Sequence, residues 1–96
     1  MQLEIKKLDE IAEKLNIPKE DMLYESLKFF LERKLRELKA EIFKTASKYS
    51  IRSVKEFEER YKKGEIEEKD TWQDLQRLDH LEFKKDEIEK ILKDIQ

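Results

Sequence analysis

Acid-base and metal chemistry need side chains that converge in a sheltered cleft, and this chain offers little with which to build one. His80 is the single histidine and there is no cysteine, which excludes disulfides, thiol nucleophiles and thiolate metal sites. Asp79 and Glu82 flank His80, but carboxylates within one helical turn are the rule where 48% of residues are charged. No Glu-x-x-His pair recurs as a carboxylate-bridged metal bundle would require. Gly64 is the only glycine, so no glycine loop can cradle phosphate. The expectation is a protein that is not an enzyme and uses no cofactor or metal.

Trp72 poses a different question. A lone tryptophan with Tyr61 and Ile66 before it is either a core anchor, which a small domain needs, or a hot spot for a partner. Tyr24, Phe29 and Phe30 pose the same choice, with core or dimer seam as the simpler reading.

The elements that would position these residues are helices. At 96 residues the chain is one small domain by length, burying only about two thirds of its unfolded surface. Lys, Glu, Leu and Ile dominate, with one Gly and one Pro, which is the mix of long solvated helices and predicts an all-α fold. The Lys and Glu enrichment also fits a heat-adapted source. The opening "MQLEIKKLDEI" has no long apolar run and no segment approaches a membrane span, so a cytoplasmic protein is expected.

Leu8, Ile11, Ala12 and Leu15 recur at helical spacing, predicting a first helix over roughly residues 3–15. Asn16 suits the left-handed conformation at its end, and Ile17 before proline leaves the helical region. Pro18 starts a second helix, with Glu20 and Asp21 against the positive end of its dipole. Its stripe runs Leu23, Leu27, Leu31, Leu35, Leu38, Ile42, Ala46 and Tyr49, an eleven-residue repeat from Leu27 that keeps to one face of a nearly straight helix about 45 Å long. One short helix cannot cover that face; the C-terminal helices, a second copy or another protein must.

Ser53 with Glu56 makes a capping box, Val54, Phe57 and Tyr61 form a stripe, and Gly64 ends a third helix. Asp70 with Gln73 repeats the capping pattern before a fourth, carried by Trp72, Leu75, Leu78 and Leu81 and continuing through Ile88, Ile91, Leu92 and Ile95. Lys84, Lys85 and Asp86 interrupt that stripe, which suggests that the last dozen residues form a separate or frayed helix.

The net charge of −2 conceals a pattern. Residues 1–27 hold four Lys or Arg against seven Asp or Glu, residues 28–55 nine against three, and residues 56–96 nine against fourteen. A basic middle between acidic ends could face phosphates through Arg33, Lys34, Arg36, Lys39, Lys44, Lys48 and Arg52, or could be an ordinary solvated helix face.

Residues 8–35, "LDEIAEKLNIPKEDMLYESLKFFLERKL", resemble the two helices of ribbon-helix-helix repressors. That resemblance implies an intertwined homodimer with Leu8, Ile11, Leu15, Leu27, Leu31, Leu35, Leu38 and Ile42 in the seam. Only "MQLEIKK" precedes Leu8, too little for the DNA-reading strand, so the ribbon is expected to be missing. A helix-turn-helix reading founders on Glu25 at a buried position and on Glu20 and Asp21 facing phosphates. Residues 49–92 resemble the C-terminal part of small archaeal proteins of antitoxin type, through Ser53, Val54, Phe57, Gly64, Trp72, Asp74, Leu75, Leu78 and Leu81. This second resemblance implies a division of labour, with residues 1–50 dimerising and 51–96 covering a protein toxin through Phe57, Tyr61, Ile66, Trp72, Leu75, Leu78 and Leu81. The acidic tail would steer toward a basic partner. Two alternatives stand beside it: a DNA-binding repressor using the basic middle, and a structural helical assembly protein.

Overall fold

The computed structural model describes residues 4–65 and 71–96, and among them the fold is all-α. Four helices follow one another: α1 (Ile5–Leu15), α2 (Lys19–Ser47), α3 (Val54–Lys62) and α4 (Thr71–Ile95). No described helix is long and apolar enough to cross a membrane.

Helices α1, α2 and α3 stop in the same way. At the end of α1, Asn16 is left-handed (φ 55°), its N–H donates to the Glu13 carbonyl (3.1 Å) and the Ile17 N–H reaches back to Ala12 (3.1 Å). This is a Schellman cap, which satisfies carbonyls the helix would otherwise orphan. Gly64 (φ 73°) ends α3 identically, with Gly64 N–H on Tyr61 (3.2 Å) and Glu65 N–H on Arg60 (3.0 Å). The same bonds close α2, from Ser50 N–H to Ser47 (3.4 Å) and from Ile51 N–H to Ala46 (3.3 Å), and here Ser50 takes the left-handed role (φ 55°). Asn16 and Gly64 announce their stops by residue type; Ser50 does not.

The N-terminus of α3 also follows its residues, with one shift of register. Ser53 Oγ accepts from the Glu56 N–H at 3.2 Å, as a capping box requires. The Glu56 carboxylate accepts in return from the Arg52 N–H (3.0 Å), one residue before the cap, and also binds Arg60 (3.0 Å). The expected Asp70 cap on α4 lies outside the described residues.

By packing, the chain divides into two compact units, Met1–Glu32 and Arg33–Gln96. The boundary falls within α2 and is a separate matter from the functional division expected at residue 50. In the first unit Ala12 and Leu31 are buried, Leu8 is half-buried, and Lys19 reaches Asp9 across the α1–α2 turn (2.8 Å). The second unit has a core of Ala46, Ile51, Phe57, Leu75 and Leu78, flanked by Ile42, Tyr49 and Val54. Phe57 is wholly enclosed, and the Tyr49 ring meets it edge-on at 4.6 Å.

Within this unit the start of α4 packs on the end of α2. Tyr49 Oη donates to the Asp74 carboxylate, Lys48 lies 3.8 Å from the same group, and Arg77 binds Glu41 (2.9 Å). Arg60 bonds the Tyr49 carbonyl (3.0 Å), tying α3 to the same corner. Helix α4 then runs unbroken to Ile95 rather than yielding a separate last helix. Charge at Lys84–Asp86 interrupts an apolar stripe but contains no helix breaker, and Lys85 pairs with Glu82 (3.3 Å), Asp86 (3.7 Å) and Glu89 (4.0 Å) along the helix.

Candidate functional site

Helices α3 and α4 both carry more than one face. On α3, Val54 and Phe57 turn to the core, while Glu58, Tyr61 and Lys62 share the adjoining face at spacings of three and four. On α4, Leu75 and Leu78 turn to the core, while Trp72, Gln76 and Asp79 run along the neighbouring face. The two faces meet in a cleft of about 460 Å³ lined by Glu58, Tyr61, Lys62, Trp72, Leu75, Gln76 and Asp79. Trp72 and Tyr61 face each other with ring centroids 6.3 Å apart and planes at 45°.

Trp72 is 54% exposed, although it is the largest side chain of a protein short of core. Phe57 and Leu78 complete the interior without it. Of the residues expected to meet a partner, Phe57 and Leu78 therefore serve the core, Leu75 is a core residue that also lines the cleft, Tyr61 and Leu81 are half-buried, and Trp72 is presented to solvent. Ile66 lies outside the described residues. Glu58, Gln76 and Asp79 were not singled out as contact residues. Their signal is the same-face spacing, three before Tyr61 for Glu58 and four and seven after Trp72 for the other two.

A second, smaller cleft in the same unit, about 350 Å³, has Ile42, Phe43, Ala46 and Ile51 in its walls beside Lys39, Arg52, Glu82 and Lys85. The Lys85 ammonium is held above its ordinary pKa: desolvation works against the charge, but the hydrogen bond to Glu82 and the charges of Glu82, Glu89 and Asp86 outweigh it.

The basic middle does not converge on one surface. Arg33 and Lys34 pair with Glu37 (4.0 and 3.5 Å), and Lys48 is near Asp74. Arg36, Lys39, Lys44 and Arg52 are exposed, but at about 100° per residue the cations from Arg33 to Lys44 spread over more than half the circumference of α2. His80 is exposed, and the described residues contain no group of three or more His, Asp or Glu placed to hold a metal ion.

The expected dimer seam is divided between the two units. Ile11, Leu15 and Leu27 are exposed, Leu8 is half-buried and Leu31 buried in the first; Leu35 and Leu38 are half-buried in the second, where Ile42 packs against the core.

A family model matches the whole chain, residues 1–96. The chain belongs to the uncharacterized protein MJ0235 family. No curated protein and no solved structure matches it.

Proposed function

We propose that the chain is a non-enzymatic protein-binding module that self-associates through its first unit and grips a second protein with the Tyr61–Trp72 cleft. The observation that carries this reading is Trp72, half-exposed over a formed cleft while smaller residues fill the core. Tryptophan at the centre of an interface is the side chain whose truncation costs most, commonly 2 kcal/mol or more, or about a thirtyfold loss of affinity. Self-association is supported by the first unit's surface. Its two helices expose Ile11 and Leu15 on one, and Leu23 and Leu27 on the other. The specific form of the proposal is a cytoplasmic antitoxin whose partner is a protein toxin, and that form is supported by the sequence resemblance of residues 49–92.

Co-expression with the product of the adjacent gene, followed by co-purification and a light-scattering mass, tests it. A complex of defined stoichiometry is expected, and Trp72→Ala should release the partner while the free chain keeps its helical content and its own oligomeric mass. A chain that purifies alone as a homo-oligomer removes the neighbouring product as partner. If Trp72→Ala unfolds the free protein, the indole is structural and the contact assignment fails.

A further inference from the structure

The Tyr61–Trp72 cleft has a chemistry that narrows what can enter it. Its lining combines aromatic and aliphatic surface, from Tyr61, Trp72 and Leu75, with the carboxylates of Glu58 and Asp79. Neither carboxylate takes part in an ion pair among the described residues, unlike Glu56, which holds Arg60, Asp74, which is near Lys48, and Glu82, which holds Lys85. Among the described residues that line the cleft, Lys62 is the one cation, against Glu58 and Asp79, a surplus of one negative charge. The faces of indole and phenol rings are electron-rich and attract a cation within about 6 Å, tryptophan most strongly. Two tilted aromatic rings beside two carboxylates therefore complement a cationic head on an apolar stem.

Resting on the protein-binding reading above, we infer that this cleft receives an arginine or lysine side chain from a basic segment of the partner protein, its alkyl stem along Leu75 and its charged head between the rings and the carboxylates of Glu58 and Asp79. An acidic or purely apolar segment is disfavoured. The first would meet two unneutralised carboxylates, and the second would bring no charge to them. Lys62 competes for the same carboxylates, so it tempers affinity for the incoming cation.

Trp72 is the only tryptophan, so its fluorescence reports occupancy of the cleft directly. The probes are three acetylated, amidated Gly-Ser decapeptides carrying two arginines, two norleucines or two glutamates, titrated against the full chain. The arginine peptide should shift Trp72 emission saturably and weaken as ionic strength rises, with the norleucine and glutamate peptides at least about tenfold weaker. Glu58→Gln with Asp79→Asn should cost at least about tenfold in affinity for the arginine peptide, and Lys62→Met should increase that affinity. Both side chains are surface groups outside the core, and circular dichroism confirms that the variants remain folded. Equal binding of the norleucine peptide, unchanged affinity in the doubly neutral variant, or no saturation by roughly 10 mM overturns the inference. The two proposals fail separately. A partner that co-purifies through Trp72 but is not displaced by the arginine peptide leaves the protein-binding reading standing and removes the cation. Saturable arginine binding with no co-purifying partner does the reverse.

Discussion

The first and second units solve the same problem differently. Both present leucine-rich helical stripes, and α2 contributes to each. In Arg33–Gln96 three segments converge, so Phe57 is 0% and Leu78 1% exposed and the aromatic corner at Tyr49 locks them in place. In Met1–Glu32 two helical segments are described, and Leu15 stays 61% and Leu27 47% exposed. A regular stripe records that a face is meant to be covered; it does not record by what. The number of elements available to converge decides whether the cover is intramolecular.

The largest test of this contrast is truncation on each side of it. Phe57→Ala should destabilise the chain by about 3–5 kcal/mol, because it empties a fully enclosed site. Leu27→Ala in dilute solution should cost less than about 1 kcal/mol, since nearly half of that side chain already faces water. Urea unfolding followed by circular dichroism measures both. Comparable losses would mean that the first unit is as fully packed as the second.

Association is the next lever. If a second copy covers the first unit, Leu15→Glu with Leu27→Glu should abolish it while leaving the monomer's helicity intact, because each buried leucine would otherwise contribute about 1.5–3 kcal/mol to the pair. Sedimentation velocity over a range of concentrations reads the result. A chain that is monomeric before substitution, or equally oligomeric after it, removes the seam from the first unit.

Much of this organisation is legible in the amino-acid order, and what is not has identifiable causes. The all-α class is legible in composition and periodicity, and the stops at Asn16 and Gly64 and the cap at Ser53 are local: each depends on residues within four positions, and each occurs as read. The break expected after Lys84 does not occur, because loss of apolar periodicity was mistaken for loss of helix, and Lys85 links the two halves of α4 through its acidic neighbours. The cleft was half visible. Tyr61 and Trp72 stand out by type, but their separation from Phe57 and Leu78 depends on the angle at which α3 meets α4, which no local pattern encodes. Ser50 is the other silent residue, because serine carries no preference for the left-handed region that it occupies.

Ser50 and Gly64 sharpen the comparison within the second unit, where one left-handed cap is strained and the other is not. Gly64→Ala should cost about 1–2 kcal/mol from backbone strain alone, as a Cβ there would meet no atom within 4 Å. Ser50→Gly should move stability the other way, by about 0.5–1 kcal/mol, because its φ of 55° is one that glycine adopts freely. Thermal midpoints of the two variants should fall on opposite sides of the parent chain. A Ser50→Gly protein that melts lower would mean that the serine hydroxyl, rather than its backbone, secures the turn.

The smallest effect concerns Lys85, which replaces the missing apolar contact in the middle of α4 with charge. Its pKa is raised in the folded chain, so the folded state holds the proton more tightly than the unfolded one. Stabilisation from this group is complete below its unfolded value, about 10.4, and fades as the pH rises through the higher folded value. Lys85→Met removes the charge at every pH while keeping an unbranched stem. The gap in thermal midpoint between parent and variant should be constant from neutral pH to about 10 and close above it. A gap that persists undiminished into strong alkali would assign the contribution of Lys85 to its methylene stem, making the centre of α4 a packing contact like the core around Phe57 and Leu78 rather than an exception to it.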